Sequence, residues 1–195
     1  MKSLFFLCLV LFMDSNSVLA QDDLLTDGAE LLFREVNSNL SNSSKNQIFE
    51  LTEFSVASNG SQFHFEGEGN EEFPFSVFIY PVDLNKDGME EIAIQFGNAF
   101  TSGMTGASYY LMVPDDENSY HRNFGLPGFL SISEERNLNY PDIVVGGPGF
   151  MPYPVWRWNG EEYAFHQKIE REIADNSTLI MISDASASYQ ETQKH

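Results

Sequence analysis

The hydrophobic period changes once along this chain, and that change dictates the class of fold. Up to Phe54 the apolar residues recur at helical spacing. Leu31, Leu32 and Val36 stripe a segment over 26–38 that Thr26 or Asp27 can cap, and Ile48, Phe49 and Leu51 stripe a second over 45–54. A Ser/Asn-rich joint, Asn37 to Ser44, separates the two. After the turn signal Asn59-Gly60 the period falls to two. Phe63–Phe65, Phe75–Tyr80, Ile92–Phe96, Tyr109–Val113, Phe129–Ile132, Ile143–Val145 and Thr178–Ile182 read as strands. Val155–Trp158 and Tyr163–Phe165 flank Asn159-Gly160, a strong hairpin signal. Helices at one end of a chain and short alternating strands over the rest make an α+β domain. We expect two N-terminal helices packed on a mostly antiparallel β assembly of about seven to nine strands. The single domain over 21–195 is expected to be helical over 22–58 and β-rich over 59–183, with a polar tail over 184–195.

The first residues carry a different signal. Lys2 precedes the apolar run Leu4 to Met13, a polar stretch follows, and Val18-Leu19-Ala20 stands before Gln21. A short positive region, an apolar core and a small residue at the cut make 1–20 a cleavable signal peptide. The run is shorter than the ~20 apolar residues that cross a bilayer, so no membrane span is expected after cleavage. Cys8, the only cysteine, leaves with the signal, and it follows Phe5-Phe6-Leu7, which is no lipidation context. The working domain is then periplasmic or secreted. It has neither a disulfide nor a thiol, so its stability must come from its core or from a metal.

Ten Lys and Arg stand against 29 Asp and Glu, a net charge of −19, and Lys2 and Asp14 cancel within the signal. Nucleic acid, bound by neutralising phosphates with clustered cations, is excluded as a partner. Adhesion to anionic lipid is disfavoured for the same reason. Divalent cations and basic partners are favoured.

The clearest chemistry lies between two expected strands. Asp83, Asn85 and Asp87 occupy positions 1, 3 and 5 of a loop, Gly88 sits at the sharp turn, Met89 offers a backbone carbonyl and Glu91 stands at position 9. Alternating oxygens around one centre suit Ca²⁺, which takes about six to eight of them at ~2.3–2.6 Å. An EF-hand would need a bidentate Glu at position 12, where this chain has Ile94, and helical flanks where this chain has alternation. The competing reading is a polar β-turn held by Asx hydrogen bonds.

The segment Val82 to Asn98 resembles the calcium loop of FG-GAP and VCBS repeats, found in integrin-type β-propeller blades. Ile92 and Gly97 match the strand and glycine that follow such a loop. The resemblance implies Ca²⁺ held by Asp83, Asn85, Asp87, Met89 and Glu91. A fainter copy runs from Asn139 to Gly149, where Asp142-Ile143-Val144-Val145 answers Glu91-Ile92-Ala93-Ile94. That copy lacks the acids at positions 1, 3 and 5, so no calcium is expected there. A closed propeller needs about four blades. This chain has room for two, hence blade-like hairpins without closure.

Other motifs carry less. His64, His121, His166 and His195 share no zinc-ligand spacing, and no G-x-S-x-G element occurs. Gly146-Gly147-Pro148-Gly149 lacks the lysine and helix of a phosphate loop. Thr101 to Ala107 reads as a long flexible loop and a candidate binding surface. Trp156 and Trp158 share one face of a strand, either core or an aromatic platform, and core is the better reading. The function expected is an exported calcium-binding module that binds a protein or glycan partner. Calcium would be structural, pinning the Tyr80–Ile92 connection and presenting the 101–107 loop. The rival is a carboxylate hydrolase acting on envelope glycan with acids near Trp156 and Trp158.

Overall fold

The structure is a computed structural model that describes residues 24–147 and 152–194. The expected signal peptide therefore lies outside the described residues, as do Pro148 to Met151 and His195. Helix α1 spans Asp27–Phe33, where the Thr26 hydroxyl accepts the Ala29 N–H. Helix α2 spans Asn42–Thr52, where the Ser41 hydroxyl accepts the Ser44 N–H. Both caps satisfy a backbone donor that the first helical turn leaves free. A two-stranded hairpin follows, β1 (Phe54–Val56) with β2 (Phe63–Phe65); β2 is the strand expected there, whereas β1 falls inside the region expected to be helical, 22–58.

Two larger antiparallel sheets complete the fold, none of them closed. In the first, β3 (Val77–Val82), β4 (Glu91–Phe96), β5 (Ser108–Pro114) and β6 (Tyr120–Pro127) lie side by side in chain order. A short helix α3 (Ala99–Ser102) separates β4 from β5. In the second, β7 (Phe129–Asn137), β8 (Tyr140–Gly146), β9 (Tyr153–Trp158) and β10 (Tyr163–Ile169) do the same. Helix α4 (Arg171–Asn176) then leads to β11 (Leu179–Met181), which pairs with β7. The fold is α+β, as the change of period predicts. Pro81, which cannot donate to a ladder, is tolerated because β3 is an edge strand.

Strand alternation sorts the core into two layers. Ile92, Ile94 and Phe96 of β4 face α1, α2 and the small hairpin, joining Ile48, Phe54 and Phe75. Ala93 faces the other sheet, with Leu111 and Val113, and meets Leu130, Ile143 and Val145 there. Ile92 thus points away from the second sheet, while its sequence counterpart Ile143 points toward the first. The two meanders stack front to back.

Two expectations need correction. The polar tail is a helix: α5 spans Ile182–Thr192, with Ile182 and Ser186 buried, and packs on β3, β7 and β11. After Ile182 its contact face is built from Ala185 and Ser186 rather than large apolar residues, so within 184–195 no stripe announced it. The 101–107 loop is not loose either. Asn98 forms a capping box with Thr101, and buried Ser102 accepts a hydrogen bond from Ser108 at 2.8 Å. A side chain on Gly97, at φ 112°, would run into Ser102. Among the described residues, no helix is long and apolar enough to cross a membrane.

Candidate functional site

The β3–β4 connection carries the oxygen-rich loop, and its backbone explains the residue choice. Lys86 and Gly88 take positive φ, 64° and 91°, so the chain reverses sharply between Asn85 and Met89. Backbone N–H groups then point inward at the side chains. Asp83 accepts the Asp87 N–H at 3.1 Å on one oxygen and the Gly88 N–H at 3.1 Å on the other. The Asp87 N–H also reaches Asn85 Oδ1 at 3.0 Å, and the Met89 N–H reaches Asp87 Oδ1 at 2.8 Å. Asn85 Nδ2 donates to Asp87 Oδ2 at 2.7 Å and to the Tyr140 hydroxyl at 3.0 Å. Asp83, Asn85, Asp87 and the Met89 backbone are gathered in one web, the Asx network of the competing reading.

Glu91 lies one layer deeper, fully buried at the start of β4. Its carboxylate accepts the Leu84 N–H at 2.7 Å and the Tyr140 hydroxyl at 2.9 Å. Burial pushes its pKa from 4.5 up to about 7. The Leu84 and Tyr140 hydrogen bonds pull it down, and the nearby charges of Asp87 and Asp83 push it up again. No ion pair among the described residues involves Asp83, Asp87 or Glu91. Nor do three or more His, Cys, Asp or Glu side chains converge to hold a metal among the described residues. The donor set nevertheless fits a hard cation. Every candidate ligand is an oxygen, and a carboxylate that accepts one N–H per oxygen keeps further lone pairs.

Neighbouring residues missed by sequence reasoning frame the loop. Glu90, buried on the opposite face from Glu91, accepts the Ser38 hydroxyl at 2.5 Å, the Asn39 N–H at 3.2 Å and the Tyr189 hydroxyl at 3.4 Å. It ties the segment between α1 and α2, and α5, to the start of β4. Adjacent acids on a strand point to opposite faces, so the pair Glu90-Glu91 was the available signal. Tyr140 arrives from the second sheet, and burial, with Glu91 beside it, raises its hydroxyl pKa. A cleft of ≈ 630 Å³ opens beside the loop between Asn85, Asp87, Tyr140 and Trp158 on one side and Asp115 and His121 on the other.

The faint second copy is built differently. Leu138 and Asn139, both at positive φ, make a two-residue turn between β7 and β8, so no loop exists to hold a cation. Asp142, 2% exposed, sits on the face turned away from the first sheet. Arg157 on β9 grips both its oxygens, Nε at 2.8 Å and Nη2 at 2.6 Å, and Glu135 lies 3.6 Å from the same guanidinium. Trp156 and Trp158, flanking that arginine on the opposite face, are half-buried against the inter-sheet core. Trp156 meets Phe124 edge-on and Trp158 stacks on Tyr140 at 4.4 Å. The histidines His64, His121 and His166 lie on separate strands, and His121 pairs with Asp115.

The 101–107 segment lies at the other end of β4 from the Asp83 loop, six strand residues away, or about 20 Å. A cation at Asp83 therefore does not touch it, contrary to the expectation that calcium presents it. No family model matches the chain, and no curated protein or solved structure matches it either.

Proposed function

We propose that this protein is an exported calcium-binding module that docks on another macromolecule, with calcium serving structure rather than chemistry. The observation that carries the reading is the uncompensated acidity of the Asp83–Glu91 hairpin. Two loop aspartates and a buried glutamate meet only neutral donors, in a loop whose oxygen spacing resembles that of FG-GAP and VCBS repeats. Asp83, Asn85, Asp87, the Met89 carbonyl and Glu91 would hold the ion. Its charge would offset the cost of gathering these carboxylates and fasten β3 to β4. A binding role is favoured over a hydrolase because Asp142, buried on the strand that pairs with the one carrying the tryptophans, has both oxygens committed to Arg157.

Thermal unfolding of the mature protein in calcium and in chelator tests the metal. With an affinity of roughly 10⁻⁴–10⁻³ M, usual for extracellular modules, ~10 mM calcium should stabilise by about 1–3 kcal/mol. Asp83→Ala or Asp87→Ala should abolish that gain. Affinity capture from the native envelope tests the partner. An unchanged melting temperature at ~10 mM calcium, beyond the expected dissociation range, would refute the metal half of the proposal.

A further inference from the structure

We infer that the end of the first sheet opposite the calcium loop is a docking face for a cationic protein segment carrying apolar anchors. The inference rests on the binding-module reading and names the partner's chemistry. At that end Phe100 and Met104 are 77% and 82% exposed, and the Phe100 ring lies 4.5 Å from that of Phe73. Asn98 anchors the two segments together, donating to the Pro74 carbonyl at 3.1 Å. The polar residues of the 98–106 segment are thus spent on holding it in shape, and its apolar residues point outward. A large aromatic held out by a rigid, capped turn is how interface anchors are presented.

The rim of this patch decides what covers it. Glu66, Glu68, Glu71 and Glu72 run up to Phe73, all exposed, and none enters an ion pair among the described residues. From 54 to 107 the sequence holds one Lys or Arg, Lys86, and that residue sits in the loop at the far end of β4. A second copy of this chain would bring the same glutamates face to face on molecules that each carry −19, so self-association there is opposed. Anionic lipid is repelled by the same charges. A segment of Lys or Arg alternating with Leu or aromatic residues satisfies both halves of the patch: its side chains cover Phe100 and Met104 while its cations meet the glutamate rim.

The test uses the mature full-length protein and labelled synthetic peptides, read by fluorescence anisotropy. An alternating Lys/Leu peptide should bind, and binding should weaken with added salt. A Lys/Ser peptide of equal charge and a Glu/Leu peptide should each bind at least about tenfold more weakly. Phe100→Ser with Met104→Ser should cost about tenfold in affinity, and Glu71→Gln with Glu72→Gln severalfold, both with unfolding curves unchanged because all four side chains are exposed. Lys/Leu binding that ignores both double variants would overturn the inference, since it would then report only the overall charge. A dimer dissolved by the Phe100→Ser variant would overturn it as well. Failure of the Lys/Leu peptide to bind at all also overturns the inference but leaves the module reading standing, because that reading is tested separately by whether capture from the native envelope recovers any partner.

Discussion

Each of the two large sheets carries a buried carboxylate near the start of its second strand, and the protein treats the two oppositely. Asp142 on β8 is matched inside its own sheet by Arg157, a bidentate pair with both bonds under 3 Å. Glu91 on β4 is more deeply buried and is met by one backbone N–H and one hydroxyl. A buried charge is costly unless a counter-charge and hydrogen bonds replace its water. The second sheet supplies that counter-charge covalently, as an arginine one strand over. The first sheet keeps an oxygen-rich connection between β3 and β4 instead, and the proposed calcium would do there what Arg157 does here. One hairpin is self-sufficient and the other, on the proposed reading, is conditional.

The largest effect should come from breaking the self-sufficient pair. Arg157→Met leaves Asp142 buried without its partner and should destabilise by about 3–5 kcal/mol in urea unfolding. Adding Asp142→Val should restore most of that loss, because two well-packed apolar residues need no pairing. If Arg157→Met were nearly silent, Asp142 would have found water, and the contrast between the sheets would dissolve.

The conditional hairpin should show itself through pH. Glu91 holds its proton more tightly folded than unfolded, so its contribution to stability is full below about pH 4.5 and is lost as pH rises through about 7. That span corresponds to about 3 kcal/mol at most. In chelator, wild type should therefore lose stability between pH 4.5 and 7.5, whereas Glu91→Gln should lose much less. Calcium at pH 7.5 should narrow the gap from the wild-type side. Parallel stability–pH curves for the two proteins would mean that Glu91 is already compensated.

Calcium sharpens the comparison further. Its gain of about 1–3 kcal/mol should vanish in Asp83→Ala and persist in Asp142→Ala, although the latter protein is less stable to begin with. Equal loss in both would mean that the two hairpins are coupled through Tyr140 or that the second copy also binds. The smallest effect concerns that link. Tyr140→Phe removes the hydroxyl that bridges Asn85 and Glu91 across the sheets and should cost about 1–2 kcal/mol, more at pH 8 than at pH 5, because the hydroxyl donates to the charged carboxylate.

Much of this architecture is legible along the chain. The helix caps at Thr26 and Ser41, the Asn159-Gly160 hairpin and the alternation of Ile92, Ile94 and Phe96 are local patterns with local causes. Strand β6 is not legible. His121, Arg122 and Asn123 break its alternation, and it forms because β5 offers it a ladder with a register shift at Leu111/Met112. Helix α5 escaped notice because small residues pack where large ones were sought. The oxygen web of Asp83, Asn85 and Asp87 follows from spacing and from Gly88, whereas Glu90's three partners come from residues about fifty and one hundred positions away.

The sequence by itself determined the class of fold and the position of the oxygen-rich loop. Each of these depends on dihedral preferences and on a two-residue period, which neighbours along the chain settle. Only the tertiary structure decided which buried acid receives a cation. Arg157 stands opposite Asp142 because β8 and β9 pair in one register. Tyr140 reaches Glu91 because the sheets stack front to back. The physical reason is that the cost of a buried charge is set by what stands within hydrogen-bond reach of it, and long-range pairing alone determines that.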